Sequence, residues 1–226
     1  MELTGHFTKY LVQAANVTSA VEKLQAAGLS VSGTVCHVGK QEDRSNLFQQ
    51  TVDRYGGLDI LVSNAAVNPY FGSMLDCPED AWDKIFEINV KTAFLLFKES
   101  VPLMLQRDGG SAVFVSSIGG FQPISALGPY SVSKTALFGL TKALATEVAA
   151  DNIRVNCIAP GIIQTKFAAA LTDNEDIADK VLENVPMGRF GQPSEMGGIV
   201  SFLASDEASY VTGETIVLAG GMNARL

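Results

Sequence analysis

Residues 110–147 read GSAVFVSSIGGFQPISALGPYSVSKTALFGLTKALATE, the stretch that decides the fold. The first residues, up to Val115, predict a buried β-strand, which Ser116 and Ser117 follow. A loop rich in glycine and proline then leads to a long amphipathic helix that begins near Pro129. A strand joined in this way to a long helix is typical of the repeating unit of a parallel α/β sheet.

Two side chains of this helix suggest proton chemistry. Tyr130 and Lys134 are four residues apart, which places them one turn apart on the same face. An ammonium group beside a phenol favours the phenolate, so we expect Lys134 to lower the Tyr130 pKa from its ordinary value near ~10. Tyr130 would then exchange a proton near neutral pH, and Ser117 would bond the same oxygen. On spacing alone, an ordinary pair of surface neighbours remains open.

Composition limits the class of protein. The chain has 226 residues, 47% apolar and 18% charged, which is enough for one sizeable core, and we expect a single domain over residues 1–226. A net charge of -8 argues against a nucleic-acid partner. No apolar run reaches the ~20 residues of a membrane span. Three scattered cysteines and two histidines predict free thiols and no metal site.

Apolar runs of strand length alternate with helical patterns along the chain, which predicts a doubly wound, three-layer α/β/α parallel sheet of Rossmann type. The predicted helices are residues 16–27, 41–54, 79–105, 129–150 and 193–204, and the predicted strands are 31–38, 58–63, 112–115, 153–158 and 215–218. Residues 166–184 read as a helical lid. Ser19 and Glu22 have the spacing of a capping box, and Gly28 is a natural helix stop.

Small residues follow two of the predicted strands, at the edge where open α/β sheets bind ligands. Asn64, Ala65 and Ala66 come directly after strand 58–63, and Pro160 and Gly161 come after strand 153–158. Proline fixes φ, and small side chains let a ligand approach the backbone. Taken alone, an ordinary tight turn between strand and helix explains the first segment equally well.

Together these segments resemble the short-chain dehydrogenase/reductase (SDR) family. In that family a strand ends in Ser, and the motif Tyr-x-x-x-Lys follows about a dozen residues later. Ser117, Tyr130 and Lys134 fit this pattern. Residues 63–66 (SNAA) resemble the family motif Asn-Asn-Ala-Gly, with differences at the first and last positions. Residues 210–214 (YVTGE) resemble the terminal ITGE motif. The likeness runs from residue 16 to the end of the chain.

The resemblance implies hydride transfer between a nicotinamide cofactor and a ketone, an aldehyde or the corresponding alcohol. It implies that Tyr130 protonates the substrate oxygen, that Ser117 steadies this oxygen, and that Lys134 lowers the Tyr130 pKa and holds the ribose hydroxyls. It makes Asn89, in the segment EINVK, the residue that holds a water between Lys134 and solvent. An Asn inside a helix is otherwise usually a solvated surface residue.

The implied cofactor site draws on several segments: His37, Val38, Asn64, Ala65, Ala66, Tyr130, Lys134, Pro160, Gly161, Ile163 and Thr165. The Pro-Gly turn would face the nicotinamide, and Thr165 would reach the amide or the phosphate. His37 would lie beside the adenine, and a surface His at a strand end is the equal alternative. We expect NADP(H), with NAD(H) as the alternative, because the likeness is strongest to the family's peroxisomal NADPH-dependent carbonyl and retinal reductases.

The resemblance also suggests a substrate, an assembly and a location. Phe71, Phe121 and Leu127 would line the substrate pocket, which indicates apolar or aromatic carbonyl compounds. The two long predicted helices 79–105 and 129–150 resemble the interface by which family members form dimers and tetramers, so we expect a homo-oligomer. Ala224-Arg225-Leu226 resembles the Ser-Lys-Leu peroxisomal signal, with the cytoplasm as the alternative location.

One family feature is absent from the sequence. The turn Thr-Gly-x-x-x-Gly-x-Gly, which seats a pyrophosphate at a helix N-terminus, occurs nowhere; Thr4-Gly5 lacks the further glycines. We therefore expect the first β-α unit to be missing, with residues 7–12 standing for the second strand. Since the family strand order is 3-2-1-4-5-6-7, strands 31–38 and 58–63 should then not share a sheet. The alternative function is a catalytically impaired chain that regulates or assembles with complete subunits.

Overall fold

Parallel β-strands form the centre of the molecule and fall into two sheets. The structure, a computed structural model, describes residues 7–11, 13–172 and 175–222. In the first sheet, β1 (Phe7–Leu11) pairs in parallel with β2 (Val31–Val35). The second sheet has the order β3 (Ile60–Ser63), β4 (Gly110–Val115), β5 (Ile153–Pro160) and β6 (Thr215–Leu218), and all of its strands are parallel.

The division into two sheets agrees with the strand order expected from the sequence. β1 forms within residues 7–12 and lies beside β2, whereas β2 and β3 belong to different sheets. Within the described parts of the chain, no strand pairing joins the two sheets. The contact between the two halves must therefore come from side chains.

The helices lie largely where the sequence predicts them. They are α1 (Ala14–Ala26), α2 (Gln41–Tyr55), α3 (Glu79–Phe86), α4 (Thr92–Leu105), α5 (Gly128–Val148), α6 (Ala169–Thr172), α7 (Glu175–Leu182) and α8 (Pro193–Ala204). A π-helical turn, Glu87–Lys91, joins α3 to α4. None of the helices in the described ranges is both long and apolar enough to cross a membrane.

The start of α1 corrects one prediction. The helix begins at Ala14, so Ser19 lies inside it and does not cap its N-terminus. Alanine has the highest helix propensity, and Ala14 and Ala15 extend the helix beyond the supposed cap. Gly28 does end α1, because its φ of 82° is a left-handed conformation that glycine adopts without strain.

Side chains cover both faces of the second sheet. On one face, Ala112 and Phe114 of β4 belong to a core with α2, α4 and α5; on the other, Val113 packs against Leu203 of α8. The alternation follows from the two-residue period of a strand. Helices therefore lie on both sides of the parallel sheet, and the predicted Rossmann-like α/β/α class is confirmed.

The larger core also connects the two sheets. Cys36 and Val38, directly after β2, are buried in the same apolar cluster as Leu61 of β3 and Phe97 of α4. Burial of shared apolar surface is the main favourable term in folding, so this cluster holds the β1–β2 unit against the rest of the chain without strand pairing.

One buried ion pair supplements this core. Arg44 of α2, which is 3% exposed, donates from Nε and Nη2 to the carboxylate of Glu99 in α4 at 2.9–3.2 Å. Its Nη1 also donates to the carbonyl of Val38 at 2.8 Å. Arg44 thus fixes the segment after β2 to a helix that packs on the second sheet.

We predict that Glu99→Gln lowers the free energy of unfolding by about 3 kcal/mol, because the change leaves the Arg44 charge buried without a counter-charge. Asp59→Asn is the matched control. It removes the carboxylate from an exposed pair with Arg107, and a surface pair contributes less than about 1 kcal/mol. Urea unfolding followed by circular dichroism measures both variants. Equal stability losses in the two variants would show that the buried pair stabilises the fold no more than the exposed pair does.

Candidate active site

The first two turns of α5 are held against the end of β4. Pro129 occupies the first turn of the helix, where its missing N–H costs nothing. Ser116 Oγ donates to the carbonyl of Lys134 at 2.7 Å. Gly120 lies so close that a Cβ there would be 2.9 Å from the Lys134 backbone, which is why this position requires glycine. Tyr130 and Lys134 are consequently buried.

Tyr130 and Ser117 meet at this edge, as the sequence predicts. The Ser117 hydroxyl is close enough to Tyr130 to lower its pKa, and both side chains are less than a tenth exposed. Ser117 Oγ also accepts a bond from the backbone N–H of Gly119 at 3.1 Å, which fixes its rotamer. Burial raises the pKa of Tyr130 to about 12, and the nearby Ser117 hydroxyl offsets only part of that rise. Tyr130 is therefore a protonated phenol at neutral pH.

The Tyr130 pKa is raised rather than lowered, so the net lowering expected from Lys134 is not found: burial outweighs it. Lys134 Nζ donates to the carbonyl of Val115 at 2.8 Å and lies 5.5 Å from the centroid of the Tyr130 ring. Burial lowers the pKa of Lys134 itself to about 8, with a partial offset from Cys157. The low polarity that weakens the lysine's charge is the same environment that keeps the phenol neutral.

Asn89 lies in the π-helical turn, buried, and faces this group of residues. Its Oδ1 accepts from the backbone N–H of Val67 at 2.8 Å, and its Nδ2 donates to the carbonyl of the same residue at 3.0 Å. A further bond from Nδ2 reaches Ser133 Oγ at 3.0 Å. The solvated-surface alternative is excluded, whereas the water-holding role remains a prediction.

The other predicted cofactor residues of the second sheet lie along its carboxyl edge. Asn64, Ala65 and Ala66 directly follow β3, and Pro160 ends β5. Gly161 donates to the carbonyl of Leu218, and a Cβ at this glycine would lie 2.8 Å from Ala219 Cα. Ile163 pairs with Gly191, while Thr165 is exposed.

A cavity of about 540 Å³ adjoins this end of β5. Its lining includes Gly161, Ile163, Met187, Met196 and Met222. The Pro-Gly turn thus borders open space at the sheet edge, as a ligand-binding turn requires.

His37 and Val38 follow β2 and so belong to the other sheet. The backbone N–H of His37 donates to Asp43 Oδ2 at 2.7 Å, and its ring Nδ1 accepts from the N–H of Gly39 at 3.2 Å. A Cβ at Gly39 would lie 3.1 Å from Ile88 Cδ1, so this loop reaches the π-helical turn that holds Asn89.

The three residues predicted to line the substrate pocket lie in different surroundings from one another. The backbone of Gly72 bonds that of Ala126 at 3.0 Å, which brings the Phe71 and Leu127 segments together. Phe71 is exposed. Phe121 instead packs on Phe138 with ring centroids 4.3 Å apart, two turns along α5 from Tyr130.

Sequence reasoning missed three residues at the site. Phe167, in the predicted lid, has its ring centroid 5.9 Å from that of Tyr130. Ser133 and Ser116 supply buried hydroxyls that bond the backbone of α5. The two serines were visible in the sequence next to Ser117 and Lys134, but Phe167 could be placed only through the tertiary fold.

The comparisons with known proteins agree with this fold. Residues 8–223 match the family model described as enoyl-(acyl carrier protein) reductase. The chain belongs to the short-chain dehydrogenase/reductase family, a class of NAD(P)-dependent oxidoreductases.

Individual relatives show how similar the chain is to known members. It is 57% identical to dehydrogenase/reductase SDR family member 4 of Oryctolagus cuniculus over 93% of this chain and 81% of the relative. It is 55% identical to the Homo sapiens protein of the same name over 93% of this chain and 76% of that one. The solved 7α-hydroxysteroid dehydrogenase in complex with NADH and 7-oxo glycochenodeoxycholic acid superposes with a TM-score of 0.90 at 28% identity, covering 97% and 85% of the two chains.

The depressed pKa of Lys134 predicts a specific pH dependence of stability. The native lysine loses its proton near pH 8, whereas the unfolded lysine keeps it up to its ordinary pKa of 10.5. Between these values the unfolded chain binds more protons, so stability rises with pH. We expect the wild type to gain about 2 kcal/mol relative to Lys134→Met between pH of about 7.5 and 9.5. Urea unfolding at several pH values measures the difference, and parallel curves for the two proteins would contradict the assignment.

Proposed function

We propose that this chain reduces ketone or aldehyde carbonyl groups, or oxidises the corresponding alcohols, with Tyr130 as the proton donor and acceptor. The observation that supports the proposal most strongly is that Tyr130 is buried close to the Ser117 hydroxyl, with Lys134 Nζ 5.5 Å from the centroid of its ring. A general acid has to carry its proton at the working pH. Burial, which raises the pKa of Tyr130, provides that condition.

The three side chains have distinct tasks in the reductive direction. Tyr130 protonates the substrate oxygen, and Ser117 holds the same oxygen in place. The phenolate that remains after proton transfer is stabilised by the Lys134 ammonium group, since opposite charges attract strongly where water is excluded. Lys134, whose pKa is lowered to about 8, can in turn pass a proton to Tyr130. Asn89 would hold the water that reloads Lys134 from solvent.

The residues at this edge fit a nicotinamide cofactor, which supplies the hydride when bound. An ammonium group has three N–H donors, of which Lys134 directs one to the carbonyl of Val115. Its remaining donors can hold the ribose hydroxyls, together with Tyr130. Asn64, Ala65 and Ala66 would flank the ribose. The nicotinamide and its phosphate would lie beside Pro160, Gly161, Ile163 and Thr165. The adenine would lie beside His37 and Val38.

NADP(H) is the proposed cofactor, and NAD(H) is the alternative. The resemblance to NADPH-dependent carbonyl and retinal reductases supports the first. The 7α-hydroxysteroid dehydrogenase that superposes on this chain was solved with NADH, which supports NAD(H) as the alternative. The substrate would be an apolar or aromatic carbonyl compound, because Phe71 and Phe167 expose aromatic surface near Leu127 and Tyr130 respectively.

A homo-oligomer, dimer or tetramer, is part of the proposal. α4 and α5 expose the apolar side chains of Phe94 and Val132. Such residues on the two long helices would be buried if the helices paired between subunits. The role of an inactive assembly partner is less well supported, because the relatives are named as dehydrogenases and reductases.

A peroxisomal location is proposed from the sequence alone, since Ala224-Arg225-Leu226 lies outside the described residues. A fluorescent protein fused to the N-terminus of the chain should accumulate in peroxisomes. Deletion of the three residues should release it to the cytoplasm. The same distribution with and without them would contradict the signal.

We predict that Tyr130→Phe lowers kcat for carbonyl reduction by at least ~10²-fold, because general acid catalysis typically contributes that much. The affinity for NADPH should fall by no more than a few-fold, since Phe fills the same volume and only the bond of the Tyr130 hydroxyl to the ribose is lost. Stopped-flow absorbance measures turnover, and NADPH fluorescence measures binding, with NADH titrated in parallel to decide the cofactor.

Tyr210→Phe is the matched control, because Tyr210 is fully exposed, and it should leave both quantities unchanged. Turnover that survives in Tyr130→Phe would remove Tyr130 from the acid role. A wild-type chain that binds neither NADPH nor NADH would favour the assembly role instead.

A further inference from the structure

The hydroxyl of Ser133 lies between two residues of the proposed site. Ser133 is fully buried in α5. Its Oγ donates to the backbone carbonyl of Tyr130 at 2.6 Å and accepts from Asn89 Nδ2 at 3.0 Å. A serine hydroxyl has one donor, so this bond uses it on the Tyr130 turn and leaves the oxygen's lone pairs for Asn89.

Asn89 extends this contact to a second segment. Its side-chain amide bonds both the N–H and the carbonyl of Val67, at 2.8 and 3.0 Å. Val67 directly follows Asn64, Ala65 and Ala66, the proposed floor of the cofactor site. A continuous series of hydrogen bonds therefore runs from Tyr130 through Ser133 and Asn89 to Val67.

The position of Asn89 depends on these partners. It lies in a π-helical turn, a conformation that is rare and found mostly as single turns at functional sites. Both N–H groups of its amide are in use, one on Val67 and one on Ser133. Without the Ser133 oxygen, one N–H would be unpaired in a position 1% exposed. An unpaired buried donor is costly, so the amide would turn toward another partner and release Val67.

We propose that Ser133 is a positioning residue, which sets Asn89 and the Val67 loop relative to Tyr130. The inference rests on the proposed function insofar as Tyr130 and Asn89 take part in the reaction. The contacts themselves do not depend on it. The role is distinct from those of Ser117, Tyr130 and Lys134, because Ser133 bonds neither the Tyr130 hydroxyl nor Lys134 Nζ within the described structure.

Ser133→Ala tests the proposal, with Ser100→Ala as the matched control. Ser100 is also fully buried in a long helix, and its Oγ donates to the carbonyl three residues earlier, Phe97, at 2.7 Å. The control therefore removes the same group and the same kind of local bond, but no link to Asn89. Amide hydrogen exchange at Val67, followed by NMR on the full-length protein, should be roughly tenfold faster in Ser133→Ala and unchanged in Ser100→Ala.

Steady-state kinetics provide the second readout. Ser133→Ala should lower kcat for carbonyl reduction roughly tenfold with a small change in the KM for NADPH, and it should cause no further loss when Asn89→Ala is already present. Full additivity of the two changes, or unchanged exchange at Val67 in Ser133→Ala, would overturn the proposal. If the wild type shows no turnover, the proposed function fails, and the exchange measurement still decides whether Ser133 positions the loop.

Discussion

The structure depends on the burial of a phenol and an amine at the end of one strand. Lys134 reaches the last carbonyl of β4 through Nζ, and Ser116 bonds the backbone of Lys134 from the same strand end. These contacts bring α5 so close to the sheet that Tyr130 is buried. The resulting low polarity keeps Tyr130 protonated and weakens the charge on Lys134. The protonation of the pair before the reaction therefore follows mainly from its burial.

Because the strands fall into two sheets that are not paired with each other, side-chain contacts hold the two parts of the protein together. The site is built mainly on the second sheet, whose strand ends carry Ser117, the β3 loop and the Pro-Gly turn. The proposed adenine end, at His37 and Val38, follows β2 in the first sheet. The shared apolar core and the Arg44–Glu99 pair hold these two parts in register. Cofactor binding across the two parts would consequently be sensitive to changes that lie far from the reacting atoms.

The sequence predicted the features that depend on short stretches of the chain. The four-residue spacing placed Tyr130 and Lys134 on one face of α5, and the apolar runs located the strands of the second sheet. It also predicted that β2 and β3 would lie in different sheets. It failed where the outcome depends on tertiary packing. The direction of the Tyr130 pKa depends on how tightly β4 and the lid residue Phe167 enclose the ring, and the bond between Asn89 and Ser133 joins residues 44 positions apart. Phe121 packs on Phe138, a contact that the sequence did not indicate, and its place in the substrate pocket stays a prediction.

The most direct test of this account is the ionisation of Tyr130 itself. Tyrosine ring carbons labelled with 13C report ionisation by NMR, and Tyr130→Phe assigns the signal. The account predicts that Tyr130 remains protonated well above pH ~10, the ordinary value for tyrosine, because its pKa is raised to about 12. Ionisation at or below the ordinary value would show that the lysine charge outweighs burial, and it would contradict the central claim.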